Sequence, residues 1–271
     1  MTNVKKEPKP QIIFFGNGPL ADYALQILEK SCDIIFHAHS KDDLPAVKAM
    51  KEENPAAYGI LASFGVIIKS DILNLFEPIG ILNIHPSLLP KYRGPSPVES
   101  AILNGDTSIG VSVMKLVSSM DAGPIYYQKS FDFSLDTPKD EIYHTLSEHA
   151  ATWIAKNLNQ DPTPAIIQDD QKATYTKKLD KSLSPLNPQQ KSAQELLNQI
   201  RAFSGFPKSK YTFFGLDCTV ISAHVATSNE ANNANTLSIQ CHDGSILIID
   251  QIQPAGRKIM DAKSFLNGYA K

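Results

Sequence analysis

Apolar residues fall along this chain in two rhythms. Compact runs of four to six, closed by glycine, predict buried strands; apolar residues three to four apart predict helices with one buried face. Residues 11–15 form such a run, ended by Gly16-Asn17-Gly18, and a helical pattern follows with Leu20, Tyr23, Ala24, Ile27 and Leu28 on one face. Residues 33–37 predict a second strand, 44–53 a helix stopped by Asn54-Pro55, and 57–64 a third strand ended by Gly65. A short helix is expected over 71–76 with Ser70 as its cap. Residues 81–85 read as a buried strand and 97–103 as a helix closed by Asn104-Gly105. Strands at 109–116 and 125–133 flank Met120-Asp121-Ala122-Gly123-Pro124, and a long amphipathic helix follows over 137–158. This alternation predicts an α/β class: a mostly parallel sheet with helices on both faces.

The rhythm changes after Asn159. Residues 160–192 carry Pro162, Pro164, Pro185 and Pro188 among Lys, Gln and Asp, the composition of a linker with one short strand at 165–167. A helix is expected at 193–203, then short strands at 211–214, 217–226, 235–241 and 245–253, with the polar tract 228–235 as a hairpin loop. Short strands separated by turn signals predict a small C-terminal β-barrel. The expected division is an α/β domain over 1–172, a linker over 173–190 and the barrel over 191–271.

Composition narrows the class. A chain of 271 residues, 42% hydrophobic and 20% charged, is that of a globular protein, and no apolar run spans a bilayer. The first ten residues are polar and lack the apolar core of a signal peptide. Cys32, Cys218 and Cys241 are odd in number and far apart, which predicts reduced thiols and a cytoplasmic protein rather than a disulfide framework or zinc knuckle. Without a coiled-coil pattern, a monomer is the expected state. Residues 1–171 hold 14 Lys and Arg against 21 Asp and Glu, whereas residues 172–271 hold 12 against 7. The positive second half points to an anionic partner.

Candidate chemistry concentrates on one strand. Asn83 and His85 project from the same face of an otherwise apolar run, and a segment rich in Pro and Gly follows. In open α/β sheets, ligands bind beyond the carboxyl ends of the strands, where this pair stands. Asp121 lies in a Gly- and Pro-rich loop from which a carboxylate could reach the imidazole. The trio supplies an amide N–H for a developing oxyanion, an imidazole that donates to that oxyanion or moves a proton, and a carboxylate that orients the imidazole or raises its pKa. None is a good covalent nucleophile here, so the nucleophile should belong to the substrate. By contrast, Gly16-Asn17-Gly18-Pro19-Leu20-Ala21 fits a dinucleotide fingerprint only in outline. The second strand ends in His37-Ala38-His39 without a carboxylate, and Pro19 removes an N–H from the helix start, so a plain tight turn is expected. His37 and His39 lack a third ligand, and no metal is expected.

Asn83-Ile84-His85-Pro86-Ser87-Leu88-Leu89-Pro90-Lys91-Tyr92-Arg93-Gly94, followed by Asp121-Ala122-Gly123, resembles the formyltransferases that use 10-formyltetrahydrofolate. Within that family, Gln253-Pro254-Ala255-Gly256-Arg257 with Met260, Ile200-Arg201-Ala202-Phe203 before Phe206-Pro207, and Thr174-Tyr175-Thr176-Lys177-Lys178-Leu179 are similar to the methionyl-tRNA formyltransferases. The resemblance implies that Asn83, His85 and Asp121 are catalytic, that Ser87, Leu88, Leu89 and Pro90 line the folate site, and that Arg93 contacts the tRNA end. It implies a Rossmann-like formyltransferase domain, a linker and an OB-like barrel that helps hold tRNA, with 10-formyltetrahydrofolate as cosubstrate and initiator methionyl-tRNA as partner. One region departs. Where such enzymes carry a long basic loop after the second strand, His39-Ser40-Lys41-Asp42-Asp43-Leu44-Pro45 runs almost directly into a helix. A small amine acceptor, such as an amino sugar nucleotide, is the alternative within the family; a folate-sensing module without turnover is the alternative outside it.

Overall fold

A computed structural model describes residues 8–159, 165–230 and 236–270. The chain divides into two compact units, residues 1–98 with 108–177, and residues 99–107 with 178–271.

The first unit is built on six strands: β1 (Gln11–Gly16), β2 (Asp33–Ala38), β3 (Tyr58–Ala62), β4 (Ile81–His85), β5 (Ser108–Lys115) and β6 (Ile125–Asp132), in the order β2-β1-β3-β4-β5-β6. The first four run parallel, while β5 and β6 are antiparallel to their neighbours. Residues along β1, β3 and β4 are buried almost without interruption, as expected when both sheet faces are covered. Its helices are α1 (Pro19–Leu28), α2 (Leu44–Glu53), α3 (Ser70–Leu73) and α5 (Lys139–Asn157); of α4 (Pro97–Leu103), residues 99 onward belong to the second unit. Ile13 and Phe15 of β1 share a core with Val47, Leu61, Ile72 and Phe76, and Ile12 and Phe14, on the opposite face by alternation, are fully buried too.

Three expectations shift. β3 stops at Ala62, because Ser63 adopts φ 51° and turns the chain out of the sheet. Ser70 does not cap α3: it is the first helical residue, and the extended Lys69 occupies the cap position. The short strand expected at 165–167 is a single antiparallel bridge from Ile166 to Ile125. The glycine turn after β1 has a packing cause that involves no ligand. A Cβ on Gly16 would lie 1.8 Å from the carbonyl oxygen of Ala62, and its φ is 146°.

In the second unit α6 (Ala193–Ala202) opens with a capping box in which Ser192 and Glu195 satisfy each other's backbone N–H. Then come β7 (Ser209–Phe213), β8 (Leu216–Val225), β9 (Ser238–Gln240), β10 (Ile246–Pro254) and β11 (Met260–Asp261). They form an antiparallel sheet, β11-β10-β8-β7, with β9 also on β10. Register shifts in the β8–β10 ladder around Gln251 bend it, and the sheet curls into a half-barrel. The core is Leu196, Ile200, Val220, Leu247, Ile249 and Ile252, closed by the fully buried Phe265. Phe265 belongs to α7 (Ala262–Tyr269), a helix absent from the sequence expectation; Asp261 starts it by accepting from the Ser264 N–H at 2.8 Å. Of the polar tract 228–235, residues 231–235 lie outside the described residues, as do 160–164 of the linker.

Gly16→Ala should destabilise the protein by about 2–3 kcal/mol, since β1 and β3 must part to admit the methyl group. A urea melt followed by circular dichroism measures this.

Candidate active site

β4 delivers two polar side chains into an apolar setting. Asn83 and His85 alternate onto one face and are 5% and 4% exposed. Buried polar groups need partners, and the loops supply them. Tyr92, held at φ 59°, turns its carbonyl toward His85 Nε2 at 2.9 Å. A carbonyl only accepts, so Nε2 carries the hydrogen and the neutral ring presents its lone pair at Nδ1. Nδ1 lies 3.7 Å from Asp121 Oδ2. Asp121 sits at φ 47° in the β5–β6 connection, where its Oδ2 accepts the Gly94 N–H at 2.7 Å and its Oδ1 faces Asn83 Nδ2 at 3.5 Å. The structure therefore brings the carboxamide, imidazole and carboxylate together.

All three line a cavity of about 390 Å³ that is otherwise mostly apolar. Leu61, Leu116 and Tyr143 contribute, together with the loop from Ser63 to Ile67. That loop was not legible as part of the site. Its signal was Gly65, at φ 68°, followed by an isoleucine, Ile67, that stays 82% exposed. Met120, beside Asp121, is exposed as well.

The other expected residues lie behind this wall. Ser87 is buried, its hydroxyl donating to Lys91 O at 2.6 Å, and its carbonyl accepts from Ser112 Oγ at 2.6 Å. Leu88 packs on Gly110, where a Cβ would fall 2.4 Å from Leu88 Cδ2. The Leu89 N–H donates to Ser112 Oγ at 3.1 Å, and the Pro90 carbonyl accepts the Thr174 N–H at 3.2 Å. None of Ser87, Leu88, Leu89 and Pro90 lines the cavity.

Arg93 likewise points inward. It is 2% exposed, and its Nη2 donates to Asp170 at 2.7 Å and to Gln168 Oε1 at 2.8 Å. Its Nε reaches the same Gln168 oxygen, and Nη1 faces the Tyr175 hydroxyl at 3.4 Å. Burial opposes its charge, but the bonds to Asp170 and Tyr175 outweigh it and raise the guanidinium pKa. The backbone around it is stitched to the segment after α5: Arg93 N donates to Thr174 O and Thr176 N to Arg93 O. Elsewhere, the rings of His37 and His39 lie 3.8 Å apart and tilted by 38°, with His37 Nε2 near Gly16 O, and no group of three or more metal-binding side chains occurs among the described residues. No described helix is long and apolar enough to cross a membrane.

A mostly parallel sheet followed along the chain by a curled antiparallel one is an architecture shared with solved formyltransferase structures. The family described as formyl transferase matches residues 19–158, and its C-terminal domain matches residues 178–270. The chain belongs to the formyl transferase family. The methionyl-tRNA formyltransferase of Roseiflexus castenholzii is 34% identical over 221 residues, covering 78% of this chain and 70% of that one. Among solved structures, methionyl-tRNA formyltransferase from Clostridium thermocellum shares the fold with a TM-score of 0.66 at 20% identity, over 91% of this chain and 98% of that one. HypX from Aquifex aeolicus in complex with tetrahydrofolic acid gives 0.72 at 17% identity, over 97% of this chain. This chain spans about half the length of the HypX chains.

Arg93→Met should lower stability by about 1–3 kcal/mol through the lost hydrogen bonds. The shift of the urea midpoint measures it.

Proposed function

We propose that the protein transfers the formyl group of 10-formyltetrahydrofolate to the α-amine of initiator methionyl-tRNA. The observation that carries this reading is the convergence of Asn83, His85 and Asp121 on one cavity, in a family whose relatives include methionyl-tRNA formyltransferases. The amine nitrogen, as free base, attacks the formyl carbon, and the carbonyl oxygen becomes an oxyanion. Asn83, whose amide carries two N–H donors, stabilises that oxygen. His85 Nδ1, with Asp121 beside it, takes the proton the amine gives up, and a proton passes to the folate nitrogen as its bond to carbon breaks. The products are formyl-methionyl-tRNA and tetrahydrofolate, reached without an acyl-enzyme and without a metal.

In this reading the α/β domain is 1–172, residues 173–190 are a linker, and the barrel over 191–271, with the positive second half, meets the tRNA. The donor occupies the cavity. Ser87, Leu88, Leu89 and Pro90 form the wall that fixes β4 and the Tyr92 carbonyl.

One feature favours a smaller acceptor. The segment after β2 is a single capped turn, Ser40 with Asp43, that carries Asp42 and Asp43 rather than a basic loop. Labelled formyl donor offered with initiator methionyl-tRNA, elongator methionyl-tRNA and an amino sugar nucleotide separates the readings, because only the true acceptor gains label. His85→Ala and Asp121→Ala should each lower kcat by about 10²–10³-fold. Near-full turnover in either would end the mechanistic assignment.

A further inference from the structure

We infer that Gln168 is a positioning residue for the catalytic carboxylate, holding the left-handed backbone of the Asp121 loop by its side-chain amide. The inference rests on the proposed role of Asp121.

Asp121 stands at φ 47°, a conformation unfavourable for a residue with a Cβ, by about 1–2 kcal/mol. Something must hold it there. On one side the loop is wedged by Gly123, where a Cβ would lie 1.8 Å from the Lys115 carbonyl oxygen. On the other side is Gln168. Its Nε2 donates to the Asp121 carbonyl at 2.8 Å and to the Gly123 carbonyl at 2.7 Å, so both amide hydrogens are used. Its Oε1 accepts from Arg93 Nε at 3.1 Å and Nη2 at 2.8 Å. The orientation of this amide is fixed by chemistry, since guanidinium only donates and carbonyls only accept.

Arg93 is held in turn by Asp170. The main chain on either side of Gln168 is also pinned. Ile166 exchanges both backbone hydrogen bonds with Ile125, each 2.8 Å, and residues 174–176 pair with Arg93. Gln168 thus sits between two backbone stitches with its side chain directed at the turn that carries the carboxylate. The other anchor of that carboxylate, the Gly94 N–H, follows Arg93 directly in sequence, so both supports meet at the Arg93–Gln168 pair.

Gln168→Glu separates holding Arg93 from holding Asp121. One carboxylate oxygen still accepts from Arg93, but the other cannot donate to the two carbonyls. Gln168→Met, of similar size, removes both interactions. The test is a cycle of the natural chain, Gln168→Glu, Asp121→Ala and the double variant, assayed for kcat and KM with labelled 10-formyltetrahydrofolate and initiator methionyl-tRNA. Gln168→Glu should lower kcat about 10- to 100-fold, the scale of an ångström-level misplacement, with both KM values within about threefold. In the Asp121→Ala background, the same change should alter kcat by less than about twofold, because the group it positions is gone. Gln168→Met should match the kcat loss and also lower the melting temperature; it carries the test if Gln168→Glu does not fold. A crystal structure of the folded variant supplies a readout apart from turnover, in which the Asp121 carboxylate should leave the Gly94 N–H. A kcat unchanged in Gln168→Glu, a loss that multiplies in full on top of Asp121→Ala, or an Asp121 carboxylate that stays in place overturns the inference. An Asp121→Ala enzyme with full turnover instead sinks the proposed role of Asp121, whereas an inactive Asp121→Ala beside a fully active Gln168→Glu sinks the positioning role alone.

Discussion

Burying a carboxamide and an imidazole side by side on an apolar strand is the constraint around which the first unit is arranged. Each would cost about 1–3 kcal/mol if left unpaired. Neither β3 nor β5 can satisfy them, because strand neighbours offer backbone groups already committed to the ladder. Partners must come from loops, and those loops adopt backbone conformations that need support of their own. Tyr92 and Asp121 both take positive φ to present a carbonyl to His85 and a carboxylate to the pair. The buried hydroxyls of Ser87 and Ser112, and the amide of Gln128 on Leu89 O, then fix the loop from which Tyr92 hangs.

The same arrangement sets the chemistry. Because Tyr92 O occupies Nε2, the imidazole meets the cavity through Nδ1, on the side of the carboxylate. A ring free to choose its tautomer would divide its population between two orientations of lone pair. Here one is selected before any substrate arrives, which is the meaning of preorganisation in electrostatic terms. The apolar lining around the trio strengthens each polar contact made inside it.

Much of this was legible from residues alone. The period-2 rule placed Asn83 and His85 on one face, and strand–helix alternation gave the sheet. Asp121 was reachable because a Gly- and Pro-rich loop between two strand patterns can carry a carboxylate to the imidazole. What escaped has a common cause: it depends on contacts distant in sequence. Ser63 and Phe64 read as the end of the third strand, and only the turn at Ser63 sends them and the following loop to the cavity. Ser87–Pro90, which the motif places beside the ligand, is hydrogen-bonded to β5, to β6, to Thr174 and within its own loop. Arg93, expected to contact the tRNA end, is bound inside the protein by Gln168, Asp170 and Tyr175. α7 was missed because Gly268 and Asn267 weaken its helical rhythm, while the Asp261 cap and buried Phe265 decide it.

The stitched segment from Ile166 to Thr176 alters what counts as the catalytic body. Every residue that lines the cavity lies before Asn157, and the family match to the first unit ends at residue 158. A fragment cut there would retain the whole chemical inventory and lose the brace that makes it converge. Autonomy of this enzyme core therefore begins ten or so residues beyond where its sequence signature stops, in a stretch that contributes no side chain to the cavity.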